Sequence, residues 1–154
     1  MSKKILGYDP YVPADRWSDI AHERIANFDE LLRRSDILTV HAPLTDETRH
    51  LVSRREIALM KPTAILVNVA RGGIFDEAAM FDALQEGRLF GAGIDVWEGV
   101  EPPPLDHPLL SLPNVIASPH AAGGTRETQA KSSLAVAEQL LHVLNGGEPF
   151  NRVV

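Results

Sequence analysis

Cysteine is absent from the 154 residues, which excludes disulfides, thiolate catalysis, Cys-ligated zinc and iron–sulfur centres. Cationic excess is absent too. Lys plus Arg number 15 against 21 for Asp plus Glu, giving a formal charge of −6 with no basic run to offset it. Nucleic acid is therefore not an expected partner, because phosphate backbones are gripped by clustered cations. No long apolar stretch follows Lys3 and Lys4, which argues against a signal peptide or membrane anchor and leaves cytoplasm as the default location. Internal repeats, low-complexity segments and an interdomain linker are likewise missing. What remains is a 44% hydrophobic share, suited to a buried core in one domain or in part of a larger one.

Local patterns divide the chain into alternating strands and helices. Residues 4–8 read as a short strand ended by Asp9-Pro10, since proline has no ladder donor. Asn27, Phe28 and Asp29 introduce a brief helix over 29–34. The apolar, β-branched run Ile37-Leu38-Thr39-Val40 reads as a strand covered on both faces. Ser53 caps a helix over 54–60, with Glu56 placed for a capping box, and Lys61-Pro62 stops it. Residues 64–67 form a third buried strand. Asp76 caps a helix to about Gln85 that ends at Gly87, and 92–95 and 115–118 are two more strands. A long helix runs from Thr125 to Asn145. Its Ala130, Leu134, Ala137, Leu141 and Leu144 step by four and three along one apolar stripe. Strands alternating with helices imply an open, mostly parallel α/β sheet.

In sheets of this class ligands gather beyond the carboxyl ends of the strands. The residues found there are Asp9; then His41-Ala42-Pro43-Leu44-Thr45; then Asn68 to Arg71; then Asp95; then Pro119-His120. Each place sets a polar group beside small ones. Asp9 serves equally as a turn residue or as an acceptor for the hydroxyls of an adenosine ribose, where its charge would repel a 2′-phosphate. Arg71, followed by two glycines, is either a surface arginine in a turn or a planar fork for a carboxylate. His120 is followed by Ala121-Ala122-Gly123-Gly124, small enough to admit a flat ring. Glu101 lies on a proline-stiffened loop and reads by itself as a solvated charge. His41, at a strand end, can line a cleft, whereas His22, His50, His107 and His142 have no such setting.

Taken together, Gly7-Tyr8-Asp9-Pro10, His41-Ala42-Pro43-Leu44-Thr45, Leu59-Met60-Lys61-Pro62 through Asn68-Val69-Ala70-Arg71-Gly72-Gly73, Gly93-Ile94-Asp95-Val96 and Ser118-Pro119-His120 make five blocks in order. They resemble the NAD-binding domain of the D-isomer-specific 2-hydroxyacid dehydrogenases, a family that includes phosphoglycerate, glyoxylate/hydroxypyruvate and D-lactate dehydrogenases. The resemblance runs from Ile5 to the C-terminus. It implies NAD as cofactor, a small 2-oxo or 2-hydroxy acid as substrate, and Arg71, Glu101 and His120 as the catalytic group. It further implies that Asp95 holds the nicotinamide carboxamide, while His41, Pro43, Ala70, Ala122 and Gly123 line the cofactor site and Asp9 takes the ribose.

Two departures from the family pattern stand out. Relatives place the catalytic acid five residues after the Asp of Ile-Asp-Val, where Val100 stands here; Glu101 is the preferred acid and Glu98 the alternative. In the family a substrate domain, a strand and a Gly-x-Gly-x-x-Gly loop precede the Gly-Tyr-Asp strand, and none is found. The expectation is thus an incomplete doubly wound, Rossmann-type sheet over 1–154, lacking its first strand and glycine-rich loop. The missing strand would lie between the strands at 4–8 and 37–40, leaving two long apolar edges. Such a chain is expected to pair with a second copy or with a complementing N-terminal half. Two other functions stay open: a non-catalytic, NAD-responsive interaction module, and an inactive remnant.

Overall fold

The computed structural model describes residues 4–19 and 23–150. It resolves into two compact units, Met1–His120 and Ala121–Val154. Among the described residues the first is a three-helix, six-strand α/β unit and the second is built on one long helix.

In the first unit the chain runs β1 (Leu6–Gly7), a 3₁₀ turn (Ala14–Asp19), β2 (Glu23–Arg24), α1 (Phe28–Arg34) and β3 (Ile37–Val40). It continues through α2 (Arg54–Leu59), β4 (Ile65–Asn68), α3 (Glu77–Gln85), β5 (Gly91–Ile94), a 3₁₀ turn (Pro108–Ser111) and β6 (Val115–Ala117). All strand pairs are parallel, as helical crossovers require. The strands form two sheets, β1-β2 and β3-β4-β5-β6, and no pairing joins β1 to β3 among the described residues.

Side-chain chemistry sets the helix starts. Asn27 accepts the Glu30 amide at 3.2 Å, so α1 begins at Phe28, one residue earlier than the spacing alone suggests. At α2, Glu56 Oε2 accepts the Ser53 amide at 3.1 Å, while the Ser53 hydroxyl donates to Asp76 at 2.8 Å. Asp76 caps α3 through its other oxygen, accepting the Ala79 amide at 3.0 Å. One carboxylate therefore fixes the starts of two neighbouring helices.

Alternation along the strands decides which side is buried. Leu38, Val40, Leu66, Ala92 and Ile94 point into one cluster with Leu31, Leu32, Ile57, Met80, Ala83 and Leu84 from the three helices. Phe75 and Ile74, which enter α3, are almost fully enclosed. Each fully buried Leu or Phe stabilises the fold by roughly 1.5–3 kcal/mol relative to exposure. The opposite face is different. Register aligns Thr39, Val67, Gly93 and Ile116, and of the apolar residues on that side Ile37 is 62% and Ile116 82% exposed. The expectation that 37–40 is covered on both faces therefore holds for one face only.

Two further readings are corrected. The strand expected over 4–8 is reduced to Leu6–Gly7, because Asp9 Oδ1 takes the Tyr11 and Val12 amides (2.8 and 3.1 Å) and folds the chain into a turn. The edge that β1 offers is accordingly two residues long, not a long apolar one. β2 and the 3₁₀ turn before it were not anticipated. Glu23 of β2 is gripped by both terminal nitrogens of Arg34 (2.8 and 3.0 Å) and paired with Lys4, which together pull its carboxyl down to about 2.

In the second unit Thr125 caps α4 (Arg126–Leu144) by accepting the Thr128 amide at 3.1 Å, and Asn145 closes it. The helix has the length its stripe implied, yet it buries no residue, and Leu134, Leu141 and Leu144 are 61%, 61% and 80% exposed. No described helix is long and apolar enough to cross a membrane.

Asp76 yields a stability prediction with a pH sign. Burial pushes its carboxyl up, but the Ala79 amide, the Ser53 hydroxyl, the His50 charge and the Ala78 amide together hold it below the ordinary value. A depressed carboxyl stabilises the fold above its unfolded pKa and loses that contribution as pH falls through the folded value. Asp76→Ala should cost about 1–2 kcal/mol at neutral pH, the upper range for a lost cap. Urea unfolding should show the gap between wild type and variant closing below pH 4, the acid side of a typical Asp. A gap that does not change with pH contradicts the assignment.

Candidate active site

β4 delivers the first group. Asn68, buried at the strand end, accepts the Ala70 amide at 3.3 Å and donates its side-chain nitrogen to the Arg71 carbonyl at 3.1 Å. The backbone is thus wound into a tight turn at Ala70-Arg71. Arg71 is exposed and places Nη1 2.6 Å from the Ala70 carbonyl. A cleft of about 430 Å³ lies over the ends of β3 and β4, lined by His41, Ala42, Pro43, Leu44, Val69, Ala70 and Arg71. His41 is oriented by Thr39, whose hydroxyl lies 3.1 Å from its Nε2.

The next residue explains the glycine pair. A Cβ built on Gly72 would stand 1.8 Å from the Trp97 carbonyl oxygen and 2.2 Å from its carbon. Only glycine lets the Arg71 turn rest on the backbone that follows β5. Gly73 then turns at φ +80°, a left-handed conformation that side chains resist.

β5 and β6 deliver the rest. Asp95 is buried, donates its amide to the Asn68 carbonyl at 2.9 Å and accepts the Ser118 hydroxyl at 2.5 Å. Ser118 also accepts the Trp97 indole N–H on its carbonyl at 3.0 Å. Two residues later His120 sits at φ +58°, uncommon for a residue with a side chain and worth attention where it clusters with charged groups. Its Nδ1 lies 2.5 Å from Glu101 Oε2, and Glu101 Oε1 accepts the Trp97 amide at 2.8 Å. The Trp97 amide foremost, then the His120 hydrogen bond and, more weakly, the charges of His120 and Arg71, hold the Glu101 carboxyl below its ordinary value against the opposing effect of burial. As a carboxylate Glu101 only accepts, so the proton between the two groups sits on Nδ1. Nε2 remains to exchange a proton with a ligand.

The structure therefore brings Glu101 and His120 together and lets the Arg71 charge act on Glu101. Glu98, the alternative acid, turns away to His50 (Nε2 to the two oxygens, 3.0 and 3.1 Å) and Arg49 (3.5 Å). Asp9 stands at the end of β1 within its turn. Ala122 and Gly123 belong to the second unit, in the turn that Gly124 closes by donating to the Ala121 carbonyl at 2.9 Å. His22 lies outside the described residues. His50 and His107, set aside on sequence, both join a polar network around the loop that carries Glu101, together with Glu77. No local signal marked them, because their partners lie 48 and 30 residues away. No group of His, Asp and Glu suited to a metal ion occurs among the described residues.

Parallel strands whose polar residues gather at their carboxyl ends define an open α/β fold of the ligand-binding kind. Comparison with known proteins narrows the class. The family "D-isomer specific 2-hydroxyacid dehydrogenase, NAD binding domain" matches residues 1–122, and the chain belongs to it. It is 48% identical over 142 residues to a D-3-phosphoglycerate dehydrogenase of Methanocaldococcus jannaschii, covering 92% of this chain and 27% of that protein. It is 49% identical over 127 residues to a glyoxylate reductase of Aeropyrum pernix, covering 82% and 38%. The crystal structure of D-lactate dehydrogenase with NAD+ from Lactobacillus jensenii superposes with a TM-score of 0.85 at 29% identity, covering 98% of this chain and 48% of that one. The chain thus spans under half the length of these proteins.

The Gly72 contact gives the test of this geometry. Gly72→Ala should force the Arg71 turn off Trp97, at an overpacking cost of about 1–3 kcal/mol. Chemical unfolding together with Trp97 fluorescence should report both changes. A variant with wild-type stability and emission would mean that the two backbones do not touch.

Proposed function

We propose that this chain carries the catalytic half of an NAD-dependent D-2-hydroxyacid dehydrogenase, with Arg71, Glu101 and His120 as the reacting group. The observation that carries the reading is the 2.5 Å pair of His120 and Glu101 within reach of the Arg71 charge, at the carboxyl end of a parallel sheet. The residues fit a dinucleotide. Asp9 is an acceptor at the end of β1, the setting that takes ribose hydroxyls and disfavours a 2′-phosphate, so NAD is favoured over NADP. His41, Pro43 and Ala70 line the cleft, and Asp95 offers a buried carboxylate for the carboxamide. When bound, NADH supplies the hydride.

The protein groups divide the remaining work. Arg71 grips the carboxylate of the 2-oxo acid through its planar fork and orients the adjacent carbonyl. Protonated His120 gives its Nε2 proton to the carbonyl oxygen, which becomes the hydroxyl, and the ring returns to its neutral form with Nδ1–H still on Glu101. Glu101 holds the Nδ1–H and so fixes the tautomer and orientation of the ring. Acid–base help of this kind contributes about 10²–10⁴-fold in rate. The reverse reaction starts from the neutral ring.

NADH oxidation with glyoxylate, hydroxypyruvate and pyruvate tests the reading, with the chain alone and with a homologous N-terminal half supplied in trans. His120→Ala should lower kcat by about 10²-fold or more. Arg71→Lys should chiefly raise KM for the oxo acid, because an ammonium cannot reproduce the fork. NADH binding without turnover under all conditions would favour a non-catalytic, NAD-responsive module instead.

The partner proposed for the chain is a second copy or a complementing half that pairs with the open edges of β1 and β3. Unpaired sheet edges and an exposed apolar face drive association. Sedimentation velocity should show a species larger than 16.9 kDa, the mass of one chain. A purely monomeric chain would rule out the dimer.

A further inference from the structure

We propose that Glu77 is a positioning residue for the Glu101–His120 pair, because its carboxylate fastens the loop carrying Glu101 on both sides of that residue. The inference rests on the reading of that pair given above.

Residues 95–114 connect β5 to β6 and contain Glu101. Glu77, in the first turn of α3, reaches across to this loop. Its Oε1 accepts the Glu98 amide at 2.7 Å and its Oε2 lies 3.1 Å from His107 Nε2. One anchor thus lies three residues before Glu101 and the other six residues after it. Both side chains are sheltered, Glu77 being 14% and His107 19% exposed, so these charge-assisted bonds are little weakened by water.

The state of His107 follows from its surroundings. Its Nδ1 is buried with no hydrogen-bond partner. Nε2, by contrast, faces the Glu77 carboxylate, which can only accept, so Nε2–H is the donor of this bond. The ring also packs edge-on against Trp97, with centroids 5.1 Å apart and planes at 72°. Trp97 in turn gives its amide to Glu101. Glu77 therefore acts on Glu101 by two routes, through the Glu98 backbone and through His107 and Trp97.

A simpler role for an acid at this position is to complement the helix N-terminus. The hydrogen bonds argue against that as its main task. Asp76 already caps α3, and both Glu77 oxygens are committed to the loop. The other brace on this segment, Glu98 with His50 and Arg49, is solvent-exposed and correspondingly weak.

Carboxyl-carbon NMR of the ¹³C-glutamate-labelled full chain reads the pair directly, with Glu101 assigned through Glu101→Gln. His120→Ala should raise the Glu101 titration toward ordinary glutamate, and this arm tests the pair itself. Glu77→Ala should also raise it, although His120 is intact, while the circular dichroism of the helices is unchanged. Glu77→Gln keeps a neutral acceptor for the Glu98 amide and should fall between wild type and Glu77→Ala, with faster hydrogen exchange at that amide. If Glu77→Ala fails to fold, the Gln variant decides by the same two signals. A Glu101 titration that moves with His120→Ala but not with either Glu77 variant overturns the proposal and leaves the pair standing. A titration that ignores His120→Ala overturns the pair, and the proposal with it.

Discussion

The site depends on a contact between two stretches of backbone. The turn after β4 rests on the Trp97 carbonyl because Gly72 presents no Cβ, and a methyl group there would sit 1.8 Å from that oxygen. Everything chemically useful is referred to this contact. On one side of it is Arg71; on the other, Trp97 gives its amide to Glu101 and its indole N–H to the Ser118 carbonyl, two residues before His120. A side chain could bring these groups near one another. Backbone against backbone fixes their spacing with almost no rotamer freedom left to lose.

Around that contact the protein works with anions held by N–H and O–H donors. Asp76 takes the Ala79 amide and the Ser53 hydroxyl, Glu101 the Trp97 amide, Glu77 the Glu98 amide, and Asp95 the Ser118 hydroxyl. Each carboxylate joins two elements that hydrophobic packing alone would leave free to slide. In this acidic chain, then, acids serve the fold as well as the candidate site. The charge excess that excluded nucleic acid is partly spent on assembling the cleft.

Much of this was legible in the sequence, and the reasons differ by element. β3, β4 and β5 are runs whose period and bounding residues leave little choice, and Asp76, Ser53 and Thr125 cap helices by rules that act over three or four residues. The five family-like blocks lie at strand ends, so they pointed to the site before any contact was known. What could not be read were contacts between distant segments. Glu77 and His107 are 30 residues apart, and each by itself is an ordinary helix acid and an ordinary loop histidine. The choice between Glu98 and Glu101 was one of register, and it is geometry that sends one to His50 and the other to His120. The reduction of β1 to two residues, the appearance of β2 and the openness of one sheet face depend on which neighbours are present, and no local pattern encodes that.

His120 holds a backbone conformation that glycine or asparagine would adopt with less strain. Selection for thermal endurance alone would therefore push this position away from histidine and reward the loss of the ring. On the function proposed above, a laboratory lineage of this chain bred only for survival on heating would become sturdier by disarming itself at residue 120. The same reading keeps the imidazole only where each round of selection also demands turnover.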